Sequence, residues 1–113
     1  MKISVIARQL AKPTTGVGRY LTDILPALRE HAAVEALVPP SHCREGVPGH
    51  LWEQFVAPAR ASAGVLWAPT STGPLMRCPD VVTVHDVAPV DHPEWFDRWY
   101  VMSQRVALRR LLT

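Results

Sequence analysis

The sequence predicts an α/β fold in which helices cover both faces of a parallel β-sheet. Short apolar runs alternate along the chain with longer segments of helical period. Nearly continuous apolar runs are typical of strands that are buried on both faces. The 11 prolines cluster in loops and at strand exits, which suits a chain of tight connections. The alternation of strands with helices therefore favours parallel pairing through helical crossovers, and 113 residues allow one small domain.

Each element can be assigned from its local pattern. The predicted strands are residues 3–7, 34–38, 65–68 and 81–84. The predicted helices run from residue 19 to about residue 31, from 51 to 63 and from 95 to 112. Pro26 and Pro58 lie inside the first two helices, and each removes a backbone hydrogen bond, so both helices are expected to bend or split. Residues 41–49 show no periodicity and are predicted to form a loop.

The closing helix carries an apolar stripe and a basic face. The stripe consists of Trp95, Phe96, Trp99, Met102, Val106 and Ala107. Arg98, Arg105 and Arg109 are predicted to lie on another face. A solvated surface is the ordinary interpretation of such a face, and contact with a membrane surface is the alternative.

Composition excludes several classes of protein. The net charge of +2, with 19% charged residues, gives no electrostatic footprint for nucleic-acid binding. Cys43 and Cys78 have neither the spacing of metal ligands nor that of a disulfide framework, so both are expected to be reduced thiols. The apolar run at the N-terminus is too short for a signal peptide or a membrane span. These features predict a cytoplasmic protein.

The segment TTGVGRY is the first candidate ligand site, because it follows the first strand and opens the first helix. Its glycines permit positive φ and a close backbone approach, and the start of the helix offers amide donors to an anion. The segment lacks the third glycine of a dinucleotide fingerprint and the lysine of a P-loop. A plain turn before a helix therefore stays open as the alternative.

His85 and Asp86 are the second candidate site, at the end of the run VVTV. Ligands of open parallel sheets bind at the carboxyl ends of the strands, where the glycine segment is also predicted to lie. A structural histidine, and a cap or turn aspartate, are the simpler interpretations. Because two candidate ligand-binding segments are predicted to lie at one sheet edge, a functional role is favoured for His85 and Asp86. A metal site that includes Asp91 and His92 is disfavoured, because adjacent residues at a strand exit point in different directions.

Four ordered segments resemble the first half of the family 4 glycosyltransferases. The segments are GVGRYLTDILPAL, HLWEQFVAPARA, LWAPTSTGPL and VVTVHDVAPVDHPEWF. That family consists of retaining enzymes with two Rossmann-like lobes in the GT-B architecture. The resemblance implies that residues 1–113 form an incomplete N-terminal Rossmann-like lobe, and that the C-terminal nucleotide-binding lobe is missing. The chain is then expected to be a fragment that is inactive alone.

The resemblance also implies roles for individual residues. His85 matches the catalytic histidine that hydrogen-bonds the donor sugar near the reacting carbon. Asp86 is expected to support His85 or its loop, and Trp52 in the WEQ segment to serve packing. The implied substrate-binding residues are Gly16, Val17, Gly18 and Arg19 near the donor phosphates and acceptor, Thr70, Ser71, Thr72 and Gly73 on the acceptor side, and Asp86.

The function implied by the resemblance is transfer of a sugar from a nucleotide-sugar donor to a glycan or lipid-linked acceptor in polysaccharide biosynthesis. No metal, no cofactor and no nucleic acid are expected, and a peripheral position at the inner face of the membrane stays open. A different interpretation is a non-catalytic subunit or binding module that pairs with a separate nucleotide-binding lobe. A small nucleotide-binding protein that shares only the fold is a third.

Overall fold

The sheet has four strands, all parallel, in the order β2-β1-β3-β4. A computed structural model of the chain describes residues 1–11, 14–62, 64–69, 73–75, 77, 79–85 and 88–112, with the backbone alone for 111 and 112. The strands are β1 (Lys2–Ile6), β2 (Ala33–Leu37), β3 (Val65–Ala68) and β4 (Val81–Val82). The chain is therefore a Rossmann-like α/β domain, which confirms the predicted parallel sheet.

Five α-helices and three 3₁₀ turns connect and cover the strands in the described residues. The α-helices are α1 (Gly16–Arg29), α2 (Gly46–Leu51), α3 (Ala57–Arg60), α4 (Ala88–Asp91) and α5 (Arg98–Leu112). A π-helix (Trp52–Val56) joins α2 to α3. The 3₁₀ turns are Arg8–Ala11, Ser41–Cys43 and Pro93–Trp95.

The core consists of two apolar clusters, one on each face of the central strand β1. Val5 and Ala7 pack with Leu21 and Leu25 of α1 on one face. Ile6, whose side chain points the other way, packs with residues of the π-helix, α3 and the flanking strands on the second face. Because both faces of β1 are covered, the predicted arrangement of helices on both sides of the sheet is confirmed.

Helix α1 begins at Gly16, three residues before the predicted start. Thr15 is its N-cap: the Thr15 hydroxyl accepts a hydrogen bond from the Gly18 amide at 3.1 Å. A capping hydroxyl satisfies one of the amides that have no partner within the helix. The segment GVG is thus the first turn of the helix rather than part of the preceding loop.

The second helical segment also begins earlier than predicted, at Gly46 instead of residue 51. Pro48 lies in its first turn, where a missing backbone N–H costs no helical hydrogen bond. Farther along, the Ala57 amide donates to the Trp52 carbonyl, the wider i to i−5 bond of a π-helix. Pro58 follows directly, so the predicted split of this helix is realised as a π-helical turn before the proline.

Helix α5 begins at Arg98 rather than at residue 95, because Asp97 caps it. The Asp97 carboxylate accepts hydrogen bonds from the amides of Trp99 at 3.1 Å and Tyr100 at 3.4 Å. Val101 and Ala107 are the buried residues of this helix. Three residues of the predicted stripe lie on the exposed side instead: Trp99 is 73% exposed, Met102 48% and Val106 58%.

One side of the sheet carries an open apolar groove of about 230 Å³ next to β3 and β4. Only apolar side chains line it: Ile3, Ile24, Leu28, Val65, Trp67 and Val81. The groove lies beside α1, on the face where Trp67 joins the first cluster. Among the described residues, the helices are all too short or too polar to cross a membrane.

Gly64 controls the entry into β3. Its φ is +128°, and a Cβ at this position would collide with the carbonyl oxygen of Lys2. We expect Gly64→Ala to lower the free energy of unfolding by about 2 kcal/mol or more, because the backbone conformation and the contact both exclude a side chain. Chemical denaturation measures this change.

Gly16→Ala is the matched control for Gly64→Ala, since a Cβ at Gly16 meets nothing within 4 Å. Its effect on the free energy of unfolding should stay below about 0.5 kcal/mol. Equal losses in the two variants would contradict the role given to Gly64.

Candidate functional site

His85, Pro69 and the start of α1 lie at the carboxyl edge of the sheet. Pro69 directly follows β3, and His85 follows β4 by three residues. Helix α1 connects two parallel strands, so it starts at the edge where β1 ends. The contact between Tyr20 of α1 and His85, with ring centroids 5.1 Å apart, joins these segments. Ligands of open parallel sheets bind at this edge.

The His85 side chain is fixed by two contacts while the residue stays exposed. Nε2 lies 2.5 Å from the Pro69 carbonyl oxygen, and the ring meets Tyr20 edge to face at 78°. A carbonyl oxygen only accepts hydrogen bonds, so Nε2 is the protonated nitrogen. In the neutral ring, Nδ1 is then the acceptor nitrogen. The structure thus orients the imidazole and selects one tautomer.

A second pair of contacts ties β3 to the chain that leads into His85. Trp67 Nε1 donates to the Thr83 hydroxyl at 2.8 Å, and the Thr83 amide donates to the Ala68 carbonyl at 3.0 Å. Tyr20 also meets the Trp67 ring edge to face, with centroids 6.4 Å apart. Thr83 extends the β3–β4 pairing one residue toward His85.

The predicted residues of the glycine segment occupy the first turn of α1. Gly16 and Arg19 are exposed, Gly18 is buried, and Val17 packs against the first core cluster. Gly16 and Gly18 do not use the positive φ that glycine permits, since the described glycines with positive φ are Gly46 and Gly64. The open space around the Gly16 Cα is compatible with the approach of a ligand. Their roles in binding stay predictions.

Gly73 is held by Gln54 of the π-helix. Gln54 Nε2 donates to the Gly73 carbonyl at 2.9 Å, and the Leu75 amide donates to Gln54 Oε1 at 2.9 Å. A Cβ on Gly73 would come within 2.8 Å of Pro79 and 3.0 Å of Ala68, so the segment packs tightly. Of the other predicted site residues, Thr70, Ser71, Thr72 and Asp86 lie outside the described residues.

A buried ion pair between Arg8 and Glu53 was not predicted from the sequence. Arg8 lies two residues after the end of the central strand, and its Nε lies 3.3 Å from Glu53 Oε2. The side chains are 15% and 5% exposed. The sequence does place one charged residue in each of two apolar segments: Arg8 at the exit of the first strand and Glu53 in WEQ. That pattern could have indicated a buried ion pair. Trp52 is buried in the second cluster, in line with its predicted packing role.

A cleft of about 270 Å³ lies between the π-helix and α5. His50, Glu53 and Gln54 line one side, and Ser103 and Gln104 line the other. Burial lowers the pKa of His50 below its ordinary value of 6.5, and the nearby Arg8 guanidinium lowers this pKa further. The neutral imidazole is therefore favoured at neutral pH.

Metal-ligating side chains do not cluster in the part of the chain that the structure describes: no group of three or more His, Cys, Asp or Glu is placed to hold an ion. Asp91 and His92 lie at the end of α4, where His92 stacks on Trp95 with ring centroids 4.0 Å apart. The Cys43 thiol is free and half-buried. Cys78 is outside the described residues.

Comparison of the chain with protein-family models, with curated proteins and with solved structures finds no match in any of the three.

Gln54→Ala should release the segment that follows β3. The change removes one donor and one acceptor, and it leaves the Gly73 carbonyl and the Leu75 amide without the partner that Gln54 supplies. We expect a loss of about 2 kcal/mol in the free energy of unfolding and faster hydrogen exchange at the Leu75 amide. NMR-detected exchange measures the second effect directly.

Two further variants separate the Gln54 contact from a general loss of stability. Gln54→Glu keeps the acceptor for Leu75 and should keep protection at that amide. Gln104→Ala, on the other side of the cleft, should leave it unchanged. Faster exchange at Leu75 in all three variants would contradict the proposed contact.

The lowered pKa of His50 makes stability depend on pH. The folded chain binds a proton at His50 less readily than the unfolded chain does, so protonation favours unfolding. This contribution to stability is present above the ordinary value of 6.5 and is lost as the pH falls below it. Urea unfolding between about pH 7.5 and about pH 5 should show a smaller decline in His50→Gln than in the parent chain. Gln104→Ala, which changes the same cleft without removing a titratable group, is the control and should keep the parent's decline.

Proposed function

We propose that this chain forms part of the cleft of a retaining glycosyltransferase that moves a sugar from a nucleotide-sugar donor to a glycan or lipid-linked acceptor. The placement of His85 carries the proposal. This histidine lies at the carboxyl edge of a parallel sheet, is oriented by Pro69 and Tyr20, and is an exposed residue. The four segments that resemble family 4 glycosyltransferases supply the class of reaction.

The chemistry of glycosyl transfer suits such a side chain. The sugar passes through an oxocarbenium-like state while a diphosphate leaves with growing negative charge. With Nε2 donating to Pro69, the imidazole of His85 is held in one orientation at the sheet edge where a sugar hydroxyl would meet it. A fixed contact of this kind holds the reacting carbon in position and lowers the entropic cost of reaction.

The other parts of the proposed cleft are assigned to the same edge of the sheet. The first turn of α1 at Gly16 would approach the donor phosphates and acceptor, and Gly73, held by Gln54, would border the acceptor side. The nucleotide and its diphosphate are assigned to a second lobe, as the resemblance implies. In a retaining reaction where the leaving phosphate assists the acceptor hydroxyl, no protein nucleophile is required.

A non-catalytic subunit module is the second candidate, and the apolar groove beside α1 favours it. Six apolar side chains line this groove, and Val81 among them is 48% exposed. A module that pairs with a separate nucleotide-binding lobe would have to bury such a surface. The two candidates differ in whether His85 contacts a sugar.

Titration of the labelled chain with UDP-, GDP- and ADP-sugars tests the proposal. We expect weak binding by this chain alone, with sugar-dependent NMR shift changes at Gly16, Gly18 and His85, taken as the excess over the changes that the free nucleotide produces. His85→Ala should abolish them with little loss of stability, because the residue is exposed. A release assay should detect no free nucleotide, since loss of even one preorganised donor typically costs about a hundredfold in rate.

His31→Ala is the control for His85→Ala, because both histidines are exposed and His31 lies away from the strand ends. Shift changes that persist in His85→Ala, or that occur equally with nucleotide alone, would contradict the role of His85. Tight binding or nucleotide release by this chain alone would contradict the assignment of the diphosphate to a second lobe.

A further inference from the structure

The exposed side of α5 combines an apolar stripe with a row of arginines. Trp99, Met102 and Val106 are 73%, 48% and 58% exposed. At 3.6 residues per turn these three side chains fall within an arc of about 60°. The buried residues Val101 and Ala107 fix the opposite side of the helix toward the protein. The stripe is therefore presented outward along the helix.

Arginines border the stripe on both sides. On the wheel of a regular helix, Arg98, Arg105 and Arg109 fall beside Met102, and Arg110 falls beyond Trp99. Helix α5 thus holds 4 of the 12 basic residues of the chain and none of its 10 acidic residues. Basic charge is concentrated on this helix although the net charge of the whole chain is only +2.

Helix stability explains only part of this charge. Arg109 and Arg110 lie in the last turn, where cations are favoured by the helix dipole. Arg98, in contrast, is the first residue of the helix, where the dipole disfavours a cation. Arg105 lies in the middle of the helix, outside the range of either end. The helix dipole therefore does not account for the positions of Arg98 and Arg105.

Arg98 and Arg105 also line a cleft of about 410 Å³ between α5 and the 3₁₀ turn Pro93–Trp95. The remaining walls include Pro93, Phe96 and Met102, which are apolar. The cleft therefore offers two guanidinium groups above an apolar lining. A phosphate group with attached hydrocarbon matches both features, because arginine pairs with phosphate oxygens in a bidentate manner.

We propose that the exposed side of α5 docks this protein on a membrane surface rich in anionic phospholipid, with Trp99, Met102 and Val106 at the level of the headgroups and Arg98 and Arg105 on lipid phosphates. An exposed apolar stripe bordered by charge of one sign is the pattern of helices that lie in the plane of a membrane interface. Basic charge beside the stripe matches the negative surface potential of a membrane that contains anionic lipid. This inference does not rest on the proposed function.

Co-flotation with lipid vesicles tests the proposal on the full chain. Vesicles of phosphatidylcholine with about 30% phosphatidylglycerol should bind the chain at about 0.15 M salt, and pure phosphatidylcholine should bind it far less. Arg98→Gln with Arg105→Gln should weaken binding roughly thirtyfold, since each arginine near such a surface contributes about fivefold. Trp99→Ser with Met102→Ser should weaken it at least about tenfold.

The matched control is Arg29→Gln with Arg60→Gln, which removes the same charge from exposed positions on α1 and α3. This variant should bind nearly as the parent does, because charges beyond a Debye length from the surface are screened. Tryptophan emission should shift to shorter wavelength on binding, and Trp99→Phe should remove most of that shift. Circular dichroism confirms that each variant is folded.

Three outcomes would overturn the proposal. Equal losses in the two arginine double variants would show attraction by net charge alone. No binding of the folded chain to anionic vesicles would exclude the membrane. Self-association in sedimentation velocity that disappears in the Trp99→Ser, Met102→Ser variant, without vesicle binding, would show that the same side of α5 pairs with a second copy.

Discussion

Burial of β1 on both faces is the constraint on which this structure depends. Val5, Ile6 and Ala7 are fully buried, and β1 pairs in parallel with β2 on one side and β3 on the other. A five-residue strand whose side chains alternate between two cores requires a cover on each face. Helix α1 and the segment from the π-helix to α3 provide these covers. The positions of the two neighbouring strands and of these two covers follow from this central strand.

The same strand also positions the polar groups around its carboxyl end. Arg8 lies two residues after β1 and forms an ion pair with Glu53. This ion pair joins the end of the strand to the π-helix. Gln54, the next residue, holds Gly73 and Leu75 after β3. Removing one partner of a buried ion pair leaves an unpaired buried charge. The loss of Arg8 or Glu53 therefore costs more stability than the loss of an ordinary apolar contact. The π-helix thereby connects the exits of two strands.

The fold class could be predicted from the sequence because the spacing of apolar residues indicates which segments are strands or helices and which of their faces are buried. The bounds of β3 were predicted correctly, and β1 and β2 to within one residue. The starts of α1 and α5 were predicted incorrectly because the caps Thr15 and Asp97 determine them. A single capping residue is a weaker signal in the sequence than the helical period of a whole segment. The exposure of the apolar stripe on α5 was not predicted, because an apolar helix face in a sequence indicates burial even where no other part of the chain covers it.

For the candidate site, the position of His85 at a strand exit was predictable, whereas its contacts with Pro69 and Tyr20 depend on tertiary structure.

The shortness of β4 has a consequence for the energetics of the sheet edge. Strand β4 consists of the two residues Val81 and Val82, Thr83 adds one hydrogen bond to β3, and Val81 is half exposed at the outer edge. Elements with few backbone bonds and little burial open with the smallest free-energy cost, well below that of global unfolding. His85 lies three residues beyond this pairing, so its ordered position is a local equilibrium secured by Thr83 and Pro69. A ligand that binds the ordered arrangement must supply the free energy that closes this edge, and its observed affinity is reduced by the fraction of molecules in which the edge is open.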